Sequence, residues 1–170
     1  MAHGLTRFAA GTVFNNDLAS TERQQELIDL YAHLVQKGWF DRAYYYGIDE
    51  GSGNIPTNYG IAKKLLPGVR TLTTVTHKDD RLENVVDIYV PRTVDDWDAY
   101  YRRGVPARLR GLGKEYWVYT SGYPAPPVWP QVYVDCPAVE QRIIPWTCAR
   151  WGITGYLKVP LTSWYHMAGV

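Results

Sequence analysis

The chain has 170 residues and a net charge of +1, with acidic and basic residues interspersed. That length suits one domain with a sizeable core, and the charge lacks the strong basic excess that binding a nucleic-acid backbone requires. No apolar run is long enough to span a bilayer, so neither nucleic acid nor membrane is an expected partner.

The N-terminal stretch MAHGLTRFAAGTVF lacks the apolar core of a signal peptide, which leaves a protein kept inside the cell or a piece of a longer chain. TERQQELIDLYAHLVQKGWF then reads as a helix. Thr21 and Gln24 have capping-box spacing. Leu27, Leu30, Tyr31, Leu34 and Val35 repeat at helical period, and Gly38 stops the run. AYYYGI reads as a strand that ends at Asp49 and Glu50. NYGIAKKLLPG is a short helix closed by Pro67 and Gly68, and RTLTTVT is a β-branched strand. NVVDIYVP is a further strand, stopped by Pro91. TVDDWDAYYRRG is a helix capped by Thr93, with Trp97, Tyr100 and Tyr101 as its stripe. YWVYTSG is a strand and YPAPPVWP a rigid loop. PAVEQRIIPWTCARWG is a helix starting at Pro137 and kinked near Pro145, with Trp146 and Trp151 as packing residues. TGYLKVPL is the last strand.

Cys136 and Cys148 fall on that last helix, over three turns apart, so free thiols are expected. His3, His33, His77 and His166 lack metal-ligand spacing, and nothing calls for a metal or organic cofactor.

Strands alternating with helices predict an α/β fold of parallel β/α units. About five strands are visible, and the link HKDDRLE is too short for a full crossover helix. A closed (β/α)8 TIM barrel needs eight strands. The expectation is a single domain over residues 1–170 forming the C-terminal part of such a barrel, with an open, partly covered sheet as the alternative. The partner of such a piece is the missing N-terminal half of the barrel, or a second copy through self-association.

Ligands bind beyond the carboxyl ends of parallel strands. Those positions carry Asp49 and Glu50 after the tyrosine run that ends in Tyr46, then Asp87 and Tyr89, then Trp117, Tyr119 and Thr120, and finally Ser163, Trp164 and Tyr165. Trp129 sits in the proline-rich loop. Carboxylates lined by rings suit a carbohydrate, with stacking for the sugar face and acids for hydroxyls and acid chemistry. Asp49 and Glu50 converge only if the strand has ended and the chain is turning, and Gly47, Gly51 and Gly53 permit that turn. Two carboxylates close together repel, so one can keep its proton near neutral pH, as a general acid must. A solvated acidic loop is the plainer reading of the dipeptide. Asp87 can equally bond local backbone, and Trp117 with Tyr119 can equally fill a core.

HLVQKGWFDRAYYYGIDE, VDIYVP, YWVYTSGYPAPPVWP and VDCPAVEQRIIPWTCARWGITGYLKVPLTSWY, with Asp135 and Arg142 in the last, resemble the catalytic region of glycoside hydrolase family 123, from about Thr21 to Tyr165. Gly51 stands where relatives usually have Pro, and GYLKVPL where theirs usually reads Gly-Phe-Leu-Tyr-Trp. The resemblance implies a β-N-acetylgalactosaminidase on a (β/α)8 barrel that retains configuration with the help of its substrate. The substrate's own 2-acetamido oxygen attacks the anomeric carbon, Glu50 acts as acid and then base, and Asp49 orients the acetamido group. It implies a glycan carrying terminal N-acetylhexosamine as partner. By their strand-end and loop positions Tyr46, Asp87, Tyr89, Trp117, Tyr119, Trp129 and Trp164 are the candidate sugar contacts. Two rivals remain at this stage: a sugar-binding remnant without turnover, and an incomplete fragment.

Overall fold

The computed structural model describes residues 7–10, 18–49, 54–74, 82–92, 104–120 and 137–157. The first helix, α1 (Thr21–Gln36), buries Leu27 and Leu34, one face of the expected apolar repeat. Its start differs from expectation. Ser20, not Thr21, is the N-cap and makes no side-chain cap bond. Gln24 turns back instead and donates from Nε2 to the Leu18 carbonyl at 2.7 Å. Helix α2 (Ile55–Leu65) begins earlier than its apolar pattern suggests, because Asn54 caps it by accepting from the Thr57 amide at 3.3 Å. Helix α3 (Val105–Gly111) was not anticipated. Gly104, the last residue of the helix expected from Thr93, has φ 68° and acts as its N-cap, with Pro106 in the first turn, where its missing N–H costs nothing. The helix expected from Thr93 lies outside the described residues. Helix α4 (Ala138–Trp151) runs through Pro145 and ends at Gly152, φ 68°. It buries Ile144 and Cys148; Trp146, expected to pack, is 79% exposed. Two positions are about 200° of helical rotation from Ile144 or Cys148, which turns Trp146 away from the sheet. Cys148 is a free thiol, and Cys136 lies outside the described residues.

Six strands form the sheet: β1 (Phe8–Ala10), β2 (Ala43–Tyr45), β3 (Arg70–Thr73), β4 (Ile88–Tyr89), β5 (Glu115–Tyr119) and β6 (Gly155–Leu157). All neighbours are parallel and stand in chain order. Parallel crossovers are right-handed. When every step moves to the next strand in the same direction, all crossovers fall on one face, and the other face must be buried by curling. The side chains sort accordingly. Tyr45, Tyr89, Tyr116 and Val118 pack with helix residues such as Leu27, Tyr59, Leu109 and Ile144. Tyr44, Tyr46, Leu72, Ile88, Val90 and Trp117 form a second cluster built from strand and strand-end residues alone.

An ion pair measures the curl. Arg7, just before β1, reaches Glu115 at the start of β5, with Nη2 3.6 Å from Oε1. Four strand spacings in a flat sheet would separate those strands by about 19 Å. The structure is thus a partial TIM-barrel-like α/β fold, with six strands among the described residues where about five were expected.

Candidate active site

The two ends of the curled sheet differ in chemistry. At the ends where strands begin, charges pair with one another. Arg70 and Glu115 meet at 2.5 Å, and Glu115 also accepts from the Trp117 indole N–H at 2.8 Å. Lys63 and Asp87 meet at 2.7 Å. In parallel sheets this end serves stability, and ligands bind at the other.

At the other end β2 runs out at Tyr45, and the chain continues buried through Tyr46, Gly47 and Ile48 to half-buried Asp49. Gly47 is required here by space. A Cβ at that position would stand 2.2 Å from the Tyr45 hydroxyl oxygen. Residue 46 keeps the inward parity of Tyr44, so the Tyr46 ring joins the inner cluster and its hydroxyl donates to Asp49 Oδ1. Thr74, the first residue after β3, is buried and donates from Oγ1 to the same Asp49 oxygen at 2.9 Å. The Tyr46 and Thr74 hydroxyls are 3.3 Å apart. Burial, reinforced by the hydrogen bond to Asp49, pushes the Tyr46 phenol far above the usual tyrosine range, so it remains a proton donor to this carboxylate.

The backbone around this contact is fixed by Tyr59 of α2. Its hydroxyl donates to the Leu72 carbonyl at 2.5 Å and accepts from the Ile48 amide at 3.4 Å. One phenol therefore joins the segment carrying Asp49 to the segment carrying Thr74. The Tyr59 ring is itself held against Tyr45, centroids 5.5 Å apart and planes at 73°, an edge-to-face arrangement.

Of the residues singled out from sequence, Tyr46, Trp117 and Tyr119 share the inner cluster, and Asp49 is tied to it through Tyr46. Trp117 sits deeper than Asp49, its ring 5.7 Å from Tyr44 at 89°. Tyr119 is half-buried at the carboxyl end of β5.

Asp87 and Tyr89 do not join this group. They have the opposite parity to Ile88 and Val90, and alternation along a strand sends them to the helix side. Tyr89 is fully buried among helix-facing residues. Asp87 accepts from Lys63, from the Thr71 amide at 2.9 Å and from the Thr71 hydroxyl at 3.0 Å. Burial opposes its ionisation, but Lys63 and the two Thr71 donors outweigh that and hold its carboxyl below the usual aspartate value. Glu50, Trp129 and Trp164 lie outside the described residues. The sequence RTLTTVT marks Thr74 only as part of a β-branched strand; its place one residue past the end of β3 is what makes it part of this candidate site. Among the described residues no group of His, Cys, Asp and Glu could hold a metal ion.

A curled parallel β/α sheet with a carboxylate held at its carboxyl edge is an arrangement that TIM-barrel folds share. Residues 16–168 match the family model for the glycoside hydrolase 123 catalytic domain, and the chain belongs to that family. A solved family 123 glycoside hydrolase from Clostridium perfringens, studied for glycolipid glycan hydrolysis, superposes with a TM-score of 0.67 at 16% identity. The match covers 88% of this chain and 26% of that one, so the chain spans about a quarter of that structure's length. No curated protein matches.

Proposed function

We propose that the chain carries the acid–base and acetamide-orienting residues of a retaining glycosidase acting on terminal β-linked N-acetylhexosamine, of the N-acetylgalactosamine type. Family membership supports glycoside hydrolysis on a carbohydrate substrate. The observation that favours the finer reading is Asp49. It stands at the carboxyl edge, half-buried, with one oxygen engaged by two hydroxyl donors, and Glu50 follows it directly in the chain. The glycan of a glycolipid, on which the Clostridium perfringens enzyme was studied, is one carrier of such a terminal sugar.

In this reading the acetamido carbonyl oxygen attacks the anomeric carbon as the bond to the leaving oxygen breaks. Glu50 gives that oxygen its proton. Asp49 accepts the acetamide N–H and so stabilises the positive charge that develops on the cyclic oxazolinium. Glu50 then removes a proton from water as the water attacks the same carbon, the ring opens and the acetamide re-forms with configuration retained. The two carboxylates serve neighbouring atoms of one sugar ring, which is why adjacency in the chain suits them.

The test compares a 4-nitrophenyl N-acetyl-β-galactosaminide with the matching β-galactoside, which lacks the amide. Hydrolysis of the first and not the second supports internal nucleophilic help. Equal hydrolysis of both points to a carboxylate nucleophile instead. Binding of the amide sugar without turnover indicates a sugar-binding remnant.

A further inference from the structure

We propose that Thr74 is a positioning residue for Asp49, that Tyr46 shares this task rather than contacting sugar, and that the pair fixes the plane in which Asp49 meets the substrate amide. The inference rests on the acetamide-orienting role given to Asp49 above.

A carboxylate on a chain that has just left a strand can rotate about its last bond. That torsion is broad and has no sharp staggered preference. An amide N–H, by contrast, demands a directed acceptor. At Asp49 the rotation is restricted by two donors that arrive from different segments. Tyr46 comes from three residues earlier on the same segment and Thr74 from the end of β3, and both reach Oδ1. Two donors on one oxygen hold its orientation more closely than either does alone. Neither donor is itself loose. The Tyr46 ring is buried in the inner cluster, and Thr74 follows a strand whose Leu72 carbonyl is held by Tyr59. Because Tyr59 also accepts from the Ile48 amide, the segments bearing the two donors keep their spacing. The Tyr46 hydroxyl directs its proton to Asp49, which leaves it no second proton for a sugar.

Kinetics and crystal structures of Thr74→Val, Thr74→Ser and Tyr46→Phe test this. Thr74→Val keeps the shape and removes the donor; Thr74→Ser keeps the donor. Thr74→Val should lower kcat on the N-acetyl-β-galactosaminide about ten- to a hundredfold, the worth of one hydrogen bond to a charged group. Its KM should change little. Thr74→Ser should restore most of the rate, Tyr46→Phe should resemble Thr74→Val, and in an Asp49→Asn background Thr74→Val should add nothing further. Crystals of Thr74→Val should show the Asp49 carboxylate turned from its wild-type plane. Wild-type rates for Thr74→Val, no rescue by Ser, an undiminished further loss on top of Asp49→Asn, or an unmoved Asp49 would each overturn the inference. If the unaltered chain hydrolyses nothing, the glycosidase reading fails, and the orientation of Asp49 in the Thr74→Val crystals decides the positioning role by itself.

Discussion

The Trp117 indole lies across Gly155, its register partner on β6: a Cβ built on Gly155 would stand 2.4 Å from the indole Cδ2. The absent side chain is the space the ring occupies, and both strands contribute to one packed layer of the inner face. Gly155→Ala should therefore push the ring out of its rotamer or part the strands, at a cost of about 1–3 kcal/mol. In a chain of this length that corresponds to a fall in Tm of roughly 2–4 °C per kcal/mol. A scanning calorimetry comparison checks it. Gly60→Ala, where nothing lies within 4 Å of the new Cβ, is the control expected to leave Tm unchanged or raised.

Tyr59→Phe should be costly although it removes a single oxygen. The Leu72 carbonyl and the Ile48 amide both lose their partner on the Tyr59 hydroxyl, and a buried polar group left unsatisfied costs about 1–3 kcal/mol. Urea unfolding should show that loss. Because the two segments joined by the phenol carry Asp49 and Thr74, hydrolysis should fall as well, under conditions where the variant is still fully folded.

The Lys63–Asp87 pair predicts a pH dependence of stability. The folded-state pKa of Asp87 lies below its usual value, through Lys63 and the two Thr71 donors acting against burial. A depressed carboxyl contributes stability above its unfolded pKa, about 4, and loses it as pH falls through the folded value. The stability difference between the natural chain and Asp87→Asn should thus be largest near neutrality and shrink progressively below about pH 4. A difference that stays constant from neutral to acid pH would show that the pair contributes through packing alone.

Much of the fold can be read from the residues, for reasons that are local. Five strands alternate with helices because hydrophobic runs, glycines and prolines punctuate the chain, and parallel order follows from that alternation. The sixth strand, Phe8–Ala10, is three residues long, too short for a period to show, and is held by pairing with β2. Helix α3 was hidden because Gly104 and Pro106 resemble a stop, whereas both act at its start.

Within the site, Asp49 is marked by chemistry at a strand end, and Tyr46 by its place just before it. The assignment of Asp87 and Tyr89 to the pocket failed on parity. Composition does not say which alternate residues of a largely apolar strand face inward, and only the packing of Ile88 and Val90 against Tyr44, Tyr46 and Trp117 decides it. Thr74 is silent in sequence because its threonine is ordinary strand composition; the relation between the ends of β2 and β3 gives it meaning.

Replacement of Glu50 by glutamine, measured with two leaving groups, bears on the proposed chemistry without intermediaries. A proton from Glu50 matters when the departing oxygen is a poor leaving group and little when it is dinitrophenolate. Glu50→Gln should slow release of a simple phenol from the N-acetyl-β-galactosaminide by about 10²–10⁴-fold, with a far smaller loss in the step that releases 2,4-dinitrophenol. Rates equal to those of the unaltered chain with both leaving groups would contradict Glu50 as the acid.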